Sequence, residues 1–126
     1  MTLPVNARIQ AAQSFVRSVR SAQEFLQLQD STTAEARYVV LLTRLKEARE
    51  HLRWNPAAGR PARFLKAHSA QGQAMASRAR VLAAKHGVPE LREQVVKPYV
   101  LLYAHGKDRV VLLALKHERE LGFELA

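Results

Sequence analysis

Residues 91–120 read LREQVVKPYVLLYAHGKDRVVLLALKHERE, the only part of the chain whose apolar residues recur at every second position. Tyr99, Leu101 and Tyr103 fall on one side of an extended backbone, Val100 and Leu102 on the other. A second apolar run, Val110 to Leu115, follows the turn-forming His105-Gly106-Lys107-Asp108. Two such runs around a four-residue loop with a glycine predict a β-hairpin. Because each run is apolar on both faces, something must cover both sides of the hairpin, and in a chain this short that must be helices.

Working outward, the chain before this stretch carries helical spacing. Between residues 11 and 29, Phe15, Val19, Ala22, Phe25 and Leu26 recur at three and four, while Arg17, Arg20, Gln23 and Gln27 point elsewhere, as in an amphipathic helix. Asp30-Ser31-Thr32-Thr33 breaks it. Thr32 stands three residues before Glu35, the spacing of a capping box, and a second helix is expected from there to Arg53 with Tyr38, Leu41, Leu42, Leu45, Ala48 and Leu52 as its apolar stripe. A linker of a few residues lays the two helices antiparallel, as a helical hairpin. Trp54-Asn55-Pro56 ends the second helix, and Gly59-Arg60-Pro61 reads as a rigid, basic loop.

Residues 71–85 are rich in alanine, with Met75, Ala79, Val81 and Leu82 at helical spacing; they predict a third, partly exposed helix ended by Gly87 and Val88-Pro89. Its Arg78, Arg80 and Lys85 face no acidic residue between Lys66 and Gly87, which suits either a solvated face or an acidic partner. At the N-terminus, Val5, Ala7 and Ile9 alternate weakly within residues 4–9, enough for a short strand beside the hairpin. Phe123-Glu124-Leu125-Ala126 is expected as an edge extension or a loose tail. The fold class is therefore α+β: a helical hairpin on a small antiparallel sheet, with an inserted third helix.

The 126 residues, 48% hydrophobic, suffice for one domain with one core. No apolar run approaches the roughly 20 residues of a membrane span, and residues 1–10 lack the apolar centre of a signal peptide, so a cytoplasmic protein is expected. The absence of cysteine removes disulfides, thiol nucleophiles and thiolate metal sites. A formal net charge of +9 points to an acidic partner, nucleic acid or protein, over a membrane surface.

Chemical motifs are sparse. His51, His68, His86, His105 and His117 show no metal-binding spacing, no glycine-rich phosphate loop is present, and no serine sits in a G-x-S-x-G context, so no metal, cofactor or hydrolase centre is expected. Glu47 and Glu50 lie among Arg44, Lys46, Arg49 and Arg53, as surface ion pairs do. One cluster has chemical potential: Arg92, Lys97, His105, Lys116, His117 and Arg119, on or beside the expected sheet. Such a face suits a polyanion, and metal-free RNA cleavage would need a base, an acid and phosphate-binding cations of these kinds. Nothing in the spacing fixes acid–base geometry, which favours a rim facing water or an acidic protein.

Several segments also follow in a familiar order. They are Ala48-Arg49-Glu50-His51-Leu52 at a helix end, Asn55-Pro56-Ala57-Ala58-Gly59-Arg60-Pro61, then Leu91-Arg92-Glu93, Lys97-Pro98-Tyr99-Val100-Leu101-Leu102-Tyr103, and Val110 to Leu115 running into Lys116-His117-Glu118-Arg119. In these the chain resembles the RelE/ParE superfamily, the toxins of bacterial type II toxin–antitoxin modules. The resemblance implies a growth inhibitor neutralised by a small, acidic, partly disordered antitoxin. It also implies one of two actions: poisoning of DNA gyrase, as in ParE-like members, or ribosome-dependent mRNA cleavage, as in RelE-like members. Val100 and Phe123 stand where RelE-like nucleases have an arginine and an aromatic hydroxyl, and phenylalanine cannot move a proton, so the resemblance leans to ParE. Residues 67–87 stand where the family has a short connection, and they are expected to cover or replace a target surface. On this reading Arg92, Lys97, Tyr103, His117 and Arg119 form the target or antitoxin surface, and His117 with Arg119 are the candidates should the chain be a nuclease. The third alternative is a non-toxic nucleic-acid-binding or interaction module.

Overall fold

The computed structural model describes residues 5–125. In chain order the elements are β1 (Arg8–Ala11), α1 (Gln13–Gln29), α2 (Ala34–Trp54), β2 (Arg60–Pro61), a 3-10 turn (Arg63–Lys66), α3 (Ala70–Lys85), β3 (Glu90–Val96), β4 (Tyr99–His105) and β5 (Arg109–His117). The architecture is α+β, with three helices around a five-stranded mixed sheet of order β1-β5-β4-β3-β2 among the described residues.

The double-sided apolar runs do pair: β4 and β5 are antiparallel, and the turn is closed by the Gly106 N–H donating to the Arg109 carbonyl at 3.0 Å. Every residue of β4 is buried. One face of the sheet, carrying Tyr99, Leu101, Tyr103, Val110, Leu112 and Leu115, packs against Phe15, Val19 and Ala22 of α1 and against Leu41, Leu45, Ala48 and Leu52 of α2. The other face, carrying Leu91, Val100, Leu102, Ala104, Val111 and Leu113, packs against Ala79 and Ala83 of α3 and against Phe64 and Phe123. Covering both faces removes the strands from water, the chief favourable term in such a fold at about 25 cal/mol per Å².

In α3 the small residues explain the low apolar bulk read from the sequence. Ala79 and Ala83 are fully buried, and a helix whose contact line is alanine approaches a sheet closely without long side chains to fill the gap. Ser69 caps its start by accepting the Gly72 N–H at 3.1 Å. Its end is a Schellman turn: Gly87 takes φ 72°, its N–H donates to the Ala84 carbonyl, and the Val88 N–H donates to the Ala83 carbonyl.

Five local expectations change. The sheet is mixed, because β1 pairs with β5 in parallel, Arg8 beside Arg109 through Ala11 beside Leu112; β1 sits on the free edge of the last strand, where no tight turn dictates its direction. The strand expected at residues 4–9 lies a few residues later, although Val5, Ala7 and Ile9 do share one side, on the α1–α2 core; Pro4 lies outside the described residues. There is no capping box, because the Thr32 hydroxyl and N–H both donate to the Asp30 carboxylate, at 2.6 and 3.0 Å, and Thr33 is the residue that starts α2. Arg60 and Pro61 form the edge strand β2 on β3 instead of a loop. The C-terminal segment is neither strand nor loose tail: Phe123 is buried edge-on against Phe64, with ring centroids 6.4 Å apart.

A bulge also interrupts the hairpin register. Leu102 faces Ala114 while Tyr103 faces Leu112, so Leu113 is the extra residue. Leu113 and Ala114 consequently both face α3. The Leu113 carbonyl is taken up by the hydroxyl of Ser14, one of two buried serines on α1.

Candidate functional site

The five residues expected to form one surface lie in three places. Arg92 and Tyr103 are on the α1–α2 side and serve the scaffold. The fully buried Tyr103 hydroxyl donates to the Pro56 carbonyl at 2.7 Å and accepts the Gly59 N–H at 2.9 Å. Burial raises the Tyr103 phenol above its usual pKa of 10.0, more than its hydrogen bond to Gly59 and the nearby Arg92 lower it. Arg92 donates through one guanidinium nitrogen to the Gly59 carbonyl at 2.8 Å and through Nε to His105 Nε2 at 3.1 Å. His105 Nδ1 is 3.1 Å from the Gly106 carbonyl, so with Nε2 accepting, the ring proton belongs on Nδ1. Together these side chains pin the turn at residues 56–59 to the sheet; they are not a free surface.

His117 and Arg119 lie beyond them at the end of β5. His117 packs edge-on against Tyr99, centroids 5.6 Å apart, and its Nδ1 accepts the Arg119 backbone N–H at 3.1 Å. Burial raises the Tyr99 phenol as well. His117, Arg119 and Tyr99 line a groove against α1 with Arg17, Phe25, Glu120 and Glu124. Arg119 reaches His117 through the backbone, and two carboxylates share the groove, so its charge is mixed.

Lys97, in the turn between β3 and β4, faces a third region. A cleft of about 1180 Å³ runs between α3, the 3-10 turn and the end of the sheet, with Arg60, Arg63, Arg78, Lys97 and Lys116 around it and Phe64, Met75, Val95, Val100 and Phe123 among its apolar walls. Glu93 is buried to 4% exposure here and is bound by Arg60 Nε at 3.1 Å. The Lys116 ammonium donates to the Glu120 carbonyl at 3.0 Å and sits 5.4 Å from the centre of the Phe123 ring.

The sequence did not assemble this cleft. Arg60, Arg63 and Arg78 fall on three separate elements, and only the sheet order brings them beside Lys97 and Lys116. The available signal was parity: Leu91, Glu93 and Val95 alternate with Arg92 and Gln94, and reading residues 90–96 as a strand would have put Glu93 and Val95 on the α3 side. On the other side of the molecule, Phe25, Leu28, Val39 and Val40 are exposed on α1 and α2, Leu28 to 88%.

Chemically, the cleft offers cations, an apolar floor and no imidazole or phenol; its carboxylates are Glu93, held by Arg60, and Glu118. That combination has the charge and apolar surface to suit anionic groups. No family model matches the chain, and no curated protein does. Among the described residues no helix is long and apolar enough to cross a membrane.

Proposed function

We propose that the chain is a growth-inhibiting toxin of the RelE/ParE type that acts by binding a cellular target, DNA gyrase, and is held inactive by a cognate acidic antitoxin. The reading takes α1 and α2 as the family's helical hairpin, laid on one face of the sheet. The observation that carries it is where the nuclease candidates, His117 and Arg119, stand: in the groove against α1, with His117 Nδ1 engaged by the Arg119 N–H and both apart from the cationic cleft, while Arg92 and Tyr103 hold the turn at residues 56–59. What remains are surfaces suited to contact: the cleft, and the exposed apolar side chains of α1 and α2. A protein with an excess of nine positive charges suits an acidic neutralising partner, and a cytoplasmic site of action agrees with both.

Three measurements test this. Induced alone in a bacterial host, the gene is expected to arrest growth, and unimpaired growth at high expression refutes the toxin reading in favour of a non-toxic interaction module. The purified chain is expected to inhibit supercoiling by gyrase. With translating ribosomes it is expected to leave mRNA intact; cleavage that disappears in His117→Ala would replace the gyrase reading with the ribosome-dependent endoribonuclease.

A further inference from the structure

The floor of the cleft beside α3 follows from strand parity. On the face of the sheet turned to α3, β3 places Glu93 and then Val95, and the register carries each across the neighbouring strands. Arg60, Glu93 and Leu102 stand in one row, and Val95, Val100 and Lys116 in the next. The Arg60–Glu93 salt bridge closes the first row on itself. The second stays open at its outer end, where Val95 is 42% exposed. Phe64, Met75 and the fully exposed Leu121 stand around it. The Met75 methyl reaches across to Gly122, 2.9 Å from where a Cβ would stand, so one wall of the cleft is a thioether chain that can yield to a guest.

The rim is charged in one sense. Residues 51–89 contain no aspartate or glutamate, so the 3-10 turn and α3 bring only positive charge to the cleft. Of its five cations, Arg60 is bound to Glu93 and the Lys116 ammonium to the Glu120 carbonyl. Arg63, Arg78 and Lys97 form no salt bridge among the described residues. They come from three separate elements, the 3-10 turn, α3 and the turn between β3 and β4, and line one opening. Like charges so placed repel one another, and a multiply charged anion between them removes that cost.

We propose that the cleft binds a small organic phosphate with an aliphatic body. Arg63, Arg78 and Lys97 hold the phosphate or diphosphate group, and the chain lies along Val95 and Val100 between Phe64 and Met75. An inorganic anion would use the cations and leave the apolar row wet. A nucleotide fits less well. Phe123 is buried and offers no ring face for stacking, and of the uncharged polar side chains in the lining Ser69 is engaged at the start of α3, which leaves Gln71 alone to meet the edge of a base. The site goes beyond the toxin reading and does not depend on it.

The test is calorimetric titration of the full-length chain with decyl phosphate below its micelle concentration, beside hexyl phosphate, inorganic phosphate, decyltrimethylammonium and ATP at one ionic strength. Decyl phosphate is expected to bind, hexyl phosphate at least about tenfold more weakly because four methylenes are lost from the apolar row, and the other three more weakly still. Affinity for decyl phosphate should fall at least about tenfold in the double variant Arg63→Gln, Arg78→Gln, both exposed side chains whose exchange leaves the core intact. It should stay within about twofold in Arg20→Gln, which removes a charge on α1, away from the cleft. No binding of decyl phosphate, equal binding of inorganic phosphate or decyltrimethylammonium, or indifference to the double variant overturns the proposal. Tighter binding of ATP or of an oligothymidylate, lost in the double variant, overturns it in favour of a nucleotide or nucleic-acid site. Tighter binding to phosphatidylcholine vesicles containing phosphatidic acid, lost in the same variant, overturns it in favour of a membrane contact. These readings use purified protein and succeed or fail independently of growth arrest and gyrase inhibition.

Discussion

The Gly59 N–H donates to the Tyr103 hydroxyl across 2.9 Å, in the interior of the protein, between residues 44 positions apart in sequence. The same oxygen donates to the Pro56 carbonyl, so one phenol satisfies a donor and an acceptor of the turn that carries the chain from α2 to the sheet edge. Tyr103→Phe leaves both backbone groups unpaired in a buried place and should cost about 1–3 kcal/mol of stability, measured by urea unfolding.

The same phenol gives a pH dependence. Burial raises its pKa in the folded protein above 10.0, the value it regains on unfolding. The unfolded chain therefore releases this proton first as pH rises, and the stability tied to the neutral phenol is fully present below pH 10 and lost above it, up to the raised folded value. Lysines and arginines titrate in the same range, so the informative quantity is a difference: between pH 9 and 11 wild type should lose more stability than Tyr103→Phe. Parallel curves would mean that the phenol titrates alike in both states.

Gly59 has no room for a side chain. A Cβ there would stand 2.5 Å from the Glu93 carbonyl oxygen and 2.8 Å from the Tyr103 hydroxyl. Gly59→Ala must displace backbone, and a loss of about 1–3 kcal/mol is expected from the overpacking alone. Gly106→Ala is the control, since its nearest neighbours lie at 3.8 and 3.9 Å, an ordinary contact.

The close approach of α3 makes a fourth prediction. Ala79 is fully buried between helix and sheet, whereas Val81 on the same helix is 70% exposed. Ala79→Leu should destabilise by about 1–3 kcal/mol and push α3 outward, and Val81→Ala should change stability by less than about 0.5 kcal/mol. If both are neutral by thermal unfolding, α3 does not pack as described.

The fold was legible where one physical pattern dominated. The two apolar runs of the hairpin, the stripe of Tyr38, Leu41, Leu45, Ala48 and Leu52, and the glycine stop after residue 85 all carry periodicity or stereochemistry that neighbours do not override, although Leu42, expected in the same stripe, is exposed. Legibility failed where a single residue changes register or partner. The bulge at Leu113 reverses the facing of the strand beyond it, and of the two buried serines of α1 only Ser14 serves it, which has meaning only once the Leu113 carbonyl is placed. Thr32 had the spacing of a capping residue, but Asp30 offered its hydroxyl a nearer acceptor. The candidate surface was the least legible part. Charge and residue type grouped Arg92, Lys97, Tyr103, His117 and Arg119, while strand parity and the connections of the sheet send them to an interior turn, a groove and a cleft.

The parallel seam between β1 and β5 joins the two extremes of the chain, Arg8 alongside Arg109. During synthesis β1 must wait for β5, the last strand of the sheet to be made, before the sheet can close. Distant pairings of this kind slow refolding relative to helical bundles, whose contacts are local. For as long as that wait lasts β1 has no partner strand, and its backbone donors and acceptors stay open to other contacts.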